Sequence, residues 1–256
     1  MTPDAGGPSE VPRPRLIRAR AAFARALRTL LRPEGLPPEA SIELEAAFGS
    51  IGREAFTAGP RRLARVRGQV RTAPPRLLDW ISGQVVDHPA ILYDLSAVEE
   101  LSGRQTRSIT AAVGALQLAL VAAAAASTLE GGPVLALAID GLVGQVASVV
   151  HGLCDWYNTG SYLVRRFDTL GMAADAGEIR RLTNAALMSK GKEIDPRMLP
   201  RSTELRLARR WIGHGIVDAL PFGSSLGRTS ARAAGRIDRT DLPAMVALLR
   251  SERRSD

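Results

Sequence analysis

The feature that most constrains this chain is an uncharged stretch from Ser108 to Leu129, matched after Glu130-Gly131-Gly132-Pro133 by a second apolar stretch from Val134 to Cys154 that only Asp140 interrupts. Roughly 22 residues rising 1.5 Å each would cross the ~30 Å of a bilayer core, and the same length of helix suits the centre of a soluble bundle. The Gly-Gly-Pro run marks a turn, and the two arms match in length. An antiparallel helical hairpin over 108 to 154 follows.

The small side chains of that hairpin are typical of the whole chain. Hydrophobic residues make up 45 % of it and aromatics only 4 %, so a core must come from alanine, leucine and valine on closely packed helices. No stretch alternates Val, Ile or Thr at the period of a strand. The expected fold is therefore all-α, a multi-helix domain around a central small-residue apolar helical hairpin. Residues 1 to 12 hold three prolines, two glycines and little to bury, and read as a disordered tail, leaving 13 to 256 as a single helical domain.

Helical periodicity and proline punctuation divide that domain. A basic amphipathic helix over 13 to 32 places Leu16, Phe23, Leu27, Leu30 and Leu31 on one face and Arg18, Arg25 and Arg32 on the other. A second helix runs from about Glu39 to Thr57 with Ile42, Leu44, Ala47 and Ile51 available for burial. Pro60 opens a short basic helix, Pro74 and Pro75 end it, and another carries Leu77, Leu78, Trp80 and Ile81. Pro89 starts a helix through Leu101. After the hairpin come a separate polar helix through Arg165 and Arg166 that ends at Gly171, and a helix capped reciprocally by Asp175 and Glu178. A loop spans 191 to 201. Helices follow from Ser202 to Leu220, burying Leu205, Ala208, Ile212 and Gly215, from Phe222 to Ile237, and from about Thr240, burying Leu242, Met245 and Leu249.

Two constellations bear on function. Arg104 and Arg107 precede the hairpin and Arg165 and Arg166 follow it, while Glu130 stands alone at its turn, so the basic surface lies at the two outer ends as the positive-inside pattern requires. Against insertion, the first arm is mostly alanine and Asp140 would cost about 2.5 to 3.5 kcal/mol near a bilayer centre. Buried core and membrane contact both remain open, with a full span the less favoured form of contact. The second is a glycine-zipper-like helix over 222 to 237, in which Gly223, Gly227, Ala231 and Gly235 leave one face smooth enough for a helix backbone to approach closely. Ala111, Ala115 and Ala119 of the hairpin offer a matching partner surface, and a second copy of the chain is the alternative.

The hairpin, the polar segment after it and the run GHGIVDALPFGSSLGRTSARAAGRI together resemble the C-terminal pattern of the EcsC-like family, over roughly Ile109 to Ile237. Pro221, Gly223 and Gly227 carry the resemblance, and the arginine-rich first hundred residues fall outside it. The family is bacterial and helical, is encoded in some cases beside an ABC exporter, and has no established catalytic residues. The resemblance thus implies a membrane-linked accessory role and no catalytic site to transfer.

Signs of enzymatic chemistry are sparse. His151 and Cys154 lie three apart with Asp155 next, as a thiol and imidazole nucleophile pair would need, but at the end of an apolar arm a buried structural cysteine is the ordinary expectation. With one cysteine and three histidines the chain offers no thiolate-rich zinc site, and neither a phosphate-cradling loop nor a metalloprotease helix motif is present. No cofactor, metal or catalytic residue is expected. The net charge of +8, almost all arginine, favours polyanions, but without interleaved aromatics or a standard module nucleic acid is not the expected partner. No apolar leader follows Met1, so a cytoplasmic protein is expected, peripheral to or hairpin-inserted at an inner membrane. The leading reading is a non-enzymatic accessory protein whose partner is a membrane surface or membrane protein complex. The other is a soluble helical interaction or scaffold protein, with homo-oligomerisation through the glycine-lined helix.

Overall fold

The computed structural model of the chain describes residues 14–55, 60–126, 132–200, 202–214 and 229–253, and within them it is all-α. The helices are α1 (Pro14–Leu31), α2 (Pro38–Ala55), α3 (Pro60–Asp87), α4 (Leu95–Ala126), α5 (Gly132–Thr169), α6 (Ala176–Met188), α7 (Ser202–His214), α8 (Thr229–Arg239) and α9 (Leu242–Arg253), with one 3-10 turn at Pro196–Met198. The expected tail at 1 to 12 and the residues 215 to 228 lie outside the described residues.

The hairpin forms, but it is longer than 108 to 154. Arg104 and Arg107 lie inside α4, and the segment expected as a separate polar helix continues α5 through Arg166 to Thr169. A change from apolar to polar side chains does not stop a helix, since arginine and glutamine are good helix formers. Capping does. Asp94, rather than Pro89, starts α4, its Oδ1 accepting from Ser96 Oγ at 2.7 Å and from the Ala97 N–H at 2.9 Å. At the far end Gly171 adopts φ +64° and Met172 N–H reaches back to Phe167 O at 2.9 Å, the left-handed termination that glycine permits.

The shorter helices wrap this pair. Phe23, Leu27, Leu30 and Leu31 of α1 are buried, and α1 packs along α4. The chain leaves α1 at Gly35 with φ +87°, where a Cβ would overlap Leu101, and Arg104 Nη1 sits 3.4 Å from Glu34 Oε1. These contacts fix the C-terminal end of α1 beside residues 101 to 105. Because α1 contacts α4 lengthwise, it must run antiparallel to it, and its about 27 Å length carries Pro14 to about the level of residue 120.

On the other side α3 follows α5 in the same direction. Arg67 Nη2 donates to Ala138 O at 3.3 Å near one end, and Val85 lies against Gly160 near the other. Contrary to the expected break, α3 passes through Pro74 and Pro75. Proline costs the helix hydrogen bonds there, but Val66 and Val70 before it and Leu77, Leu78, Ile81 and Val85 after it are all buried, and α5 offers a continuous surface for both halves.

Two inner faces differ from the expected ones. Ile42 and Leu205 are exposed, while α2 buries Ala40, Leu44 and Phe48 and α7 buries Leu207, Ala208 and Trp211. At 100° per residue, positions two apart point to nearly opposite sides, so only one of Ile42 and Leu44, or of Leu205 and Leu207, can face inward. For α7 the choice is made by α5. The indole of Trp211 lies directly over the bare Cα of Gly152, a position any Cβ would invade. Asp175 caps α6 by accepting from the Glu178 N–H at 3.0 Å, but Glu178 does not reciprocate. Its buried carboxylate takes Arg250 Nε at 2.8 Å and Nη2 at 3.1 Å from α9 instead.

Candidate functional site

Where the wrapping helices stop, the hairpin is left bare. Leu118 and Val121 on α4 are 74 % and 66 % exposed, and Val134 and Leu137 on α5 are 73 % and 75 % exposed. Ala111, Ala115, Ala122 and Ala125 extend the same exposed surface down α4 at helical spacing. Both long helices are apolar and long enough to cross a membrane, yet only 39 % and 44 % of their most apolar stretches are buried by protein. The covered sides of the two helices face each other and the shorter helices packed on them. The bare side chains form the distal end of the molecule.

Arginines flank that end. The antiparallel run of α1 brings the exposed Arg15 and Arg18 to it, and Arg67, bonded to Ala138 O, places the N-terminal turns of α3 with exposed Arg65 there too. Arg18 was expected on the polar face of the first helix, and Arg65 and Arg67 on the basic helix that Pro60 opens, but the sequence does not say which ends of separate helices meet. The four arginines that were expected as basic surface occupy the opposite end and are partly spoken for. Arg104 pairs with Glu34, and Arg107 is exposed with Nε donating to Gly103 O at 3.3 Å. Arg165 and Arg166 are half-buried rather than displayed, with Arg166 Nε 3.2 Å from Asp238 Oδ1. Asp238 also accepts from Tyr162 OH at 2.8 and 2.9 Å, so α8 uses up this corner of α5.

Of the glycine-zipper residues, Gly223 and Gly227 lie outside the described residues. Ala231 is buried on α8, which packs against α4, α5 and α6. Of the alanine stripe on α4, Ala119 is buried but Ala111 and Ala115 are exposed. Ser230 Oγ lies 2.5 Å from Ser102 Oγ, thirteen residues nearer the base than Ala115. Nor is Gly235 a point of close approach: a Cβ there would meet nothing within 4 Å. Among the described residues, the helix glycine pressed by a neighbouring side chain is Gly152, beneath Trp211, with Gly160 in tighter than ordinary contact with Val85 at 3.1 Å.

Between the base of α4, α5 and α8 runs a buried polar seam. Asn158 Nδ2 donates to Gln105 Oε1 at 2.6 Å and to Ser102 Oγ at 3.1 Å, and Gln105 Nε2 returns a bond to Asn158 Oδ1 at 3.4 Å. One turn away, the buried Asp155 carboxylate takes the hydroxyl and backbone N–H of Ser230, at the first turn of α8. Burial nonetheless pushes its pKa up to about 7, against the lowering by Ser230 and Arg210. His151 is pushed down to about 4 by burial, its Nε2 lying 3.4 Å from Thr106 Oγ1. The Cys154 thiol is raised well above its ordinary value by burial and by Asp155.

At neutral pH the thiol and the imidazole are therefore both uncharged, the reverse of a nucleophile pair, where a lowered thiol pKa is needed. The seam specifies how α4, α5 and α8 register rather than presenting reactive atoms to a substrate. Among the described residues no three His, Cys, Asp or Glu side chains are grouped to hold a metal ion. No protein-family model, curated protein or solved structure matches the chain.

Proposed function

We propose that the chain is a non-enzymatic accessory protein that associates peripherally with an anionic membrane surface on its cytoplasmic side, setting the distal end of the α4–α5 hairpin into the interface. The observation that carries this reading is the cluster of Leu118, Val121, Val134 and Leu137, large apolar side chains standing in solvent at one end of the molecule. The exposed Arg15, Arg18, Arg65 and Arg67 at the same end supply the complement to lipid headgroups. Burying four such side chains contributes roughly 1.5 to 2 kcal/mol each and four arginines about 1 kcal/mol each near an anionic surface. That gross attraction, on the order of 10 kcal/mol before ordering costs, belongs to reversible association.

A full span is disfavoured by the other end of the same helices. Ser102, Gln105, Asp155 and Asn158 are buried there in mutual bonds and sealed by α8, and exposing them to lipid would strand several polar groups. The resemblance to the EcsC-like family points to the same membrane-linked accessory role.

Flotation of the full-length protein with phosphatidylcholine vesicles, with and without phosphatidylglycerol, tests the proposal. The wild type should float with the anionic vesicles, and a Leu118→Asp/Leu137→Asp variant, altered only at exposed positions, should remain below. A folded wild-type protein that never floats would sink the reading. If it instead dimerises, and the same variant abolishes the dimer, the bare end is a surface for a second copy.

A further inference from the structure

The base of the molecule carries a second surface that the membrane reading does not use. A groove of about 1280 Å³, open to solvent, runs between the first turns of α4 and the length of α8 and is closed at one side by Gly191 and Lys192. Its floor is shallowly furnished. Gly103 on α4 and Gly235 on α8 both line it, and a Cβ at either would meet nothing within 4 Å. Its walls are cationic: Arg107, Lys192, Arg232, Arg236 and Arg239 face it, against the carboxylates of Glu99 and Glu100.

The two carboxylates compensate the charge only in part. Among the described residues none of these five cations is within ion-pair distance of a carboxylate, although arginines elsewhere in the molecule, such as Arg32, Arg180 and Arg250, all are. Arg236 is the best positioned. Its Nε donates to Gly191 O at 2.9 Å and its Nη1 to Ala186 O at 3.0 Å, which fixes the guanidinium at the groove wall. Burial, and the like charges of Arg232 and Arg210, hold its pKa below the ordinary arginine value. An anion in the groove would meet a fixed guanidinium with like charges beside it.

We propose that this groove binds a soluble ligand bearing two or more phosphate groups. Phosphate, like carboxylate, matches planar guanidinium forks but carries more charge, and cations distributed along both walls of a groove suit several linked phosphates better than one. The ligand is soluble rather than a lipid headgroup because the groove flanks residues 95 to 107. That places it about 20 Å along α4 from Leu118, at the end away from the exposed apolar residues. The choice of a soluble ligand over a headgroup rests on the membrane reading, while the anion site itself does not.

Isothermal titration of the full-length protein with sodium pyrophosphate and tripolyphosphate, against sulfate at equal ionic strength, tests it. Saturable binding is expected for the phosphates, tighter for tripolyphosphate and at least tenfold weaker for sulfate. Arg232→Gln/Arg239→Gln should weaken it tenfold or more. Gly235→Leu, whose Cβ would meet no neighbouring atom within 4 Å, should block the groove while thermal unfolding stays cooperative. An Arg15→Gln/Arg18→Gln variant, at the opposite end, should bind as the wild type does. Absence of saturable binding by the wild type would overturn the proposal, as would equal weakening by the Arg15/Arg18 variant or unchanged binding by the two groove variants.

Discussion

Asp155→Asn isolates one large electrostatic cost within the fold. The Asp155 carboxyl, ordinarily at 3.8, titrates at about 7 in the buried seam, a rise of about three units or roughly 4 kcal/mol. Because the folded value is the higher one, the folded state holds the proton more tightly. Stability from this group is complete below pH 3.8, falls as pH rises, and is gone above 7. One turn earlier His151 moves the other way, from 6.5 to about 4, worth roughly 3 kcal/mol. Its folded value is depressed, so its contribution is complete above 6.5 and is lost as pH falls toward 4. Between pH 4 and 6.5 the two slopes oppose each other and nearly cancel, hiding both from a wild-type pH profile.

Asparagine keeps an oxygen for the hydroxyl and N–H of Ser230 and removes only the titration. Urea unfolding followed by the fluorescence of Trp156 and Trp211, at pH values from 4 to 8, gives the unfolding free energy of each protein. The variant-minus-wild-type difference should climb by about 4 kcal/mol from pH 4 to 7 and then level. His151→Gln should give a difference that falls by about 3 kcal/mol between pH 4 and 6.5. A flat Asp155→Asn difference would refute the reasoning, since it would mean that the carboxylate stays ionised in the fold and that water or Arg210 solvates it fully.

Three further outcomes follow from the packing. Gly152→Ala should destabilise by about 1 to 3 kcal/mol in thermal or urea unfolding because its methyl invades the Trp211 ring, whereas Gly235→Ala should be neutral or stabilise by up to about 1 kcal/mol, having free space and a better helix former. Cys154 should not react with a thiol reagent at pH 8 until the protein is unfolded, since the thiol is buried and its pKa is raised; native labelling at a free-cysteine rate would contradict its placement. Asn158→Leu should cost roughly 2 to 4 kcal/mol by stranding Gln105 and Ser102, and adding Gln105→Leu should cost less than the sum of the two single changes, as a double-mutant cycle in urea will measure.

What the sequence made legible is what depends on one helix at a time. The bounds of the first helix, the start of the second, the Asp175 cap, the Gly171 terminator and the inner face of Leu242, Met245 and Leu249 all rest on local periodicity and capping, and the structure has them. The hairpin was visible for the same reason. What escaped was settled between helices. Pro74 and Pro75 are breakers by every local rule, and only the surface of α5 explains why α3 survives them. Glu178 has a local partner in the Asp175 cap and takes a distant one in Arg250 because its carboxylate is buried. Small residues every four positions announced close packing on α8, but smoothness is needed only where a bulky group arrives. Among the described residues that group is Trp211, at an isolated glycine of α5 that no spacing rule marks, while Gly223 and Gly227 lie outside them. The distal apolar surface belongs to the same class. Leu118 and Leu116 are alike in sequence, and packing buries the second and not the first, so the residues that carry the proposed function were present in the sequence but could not be told from core until the neighbours were in place.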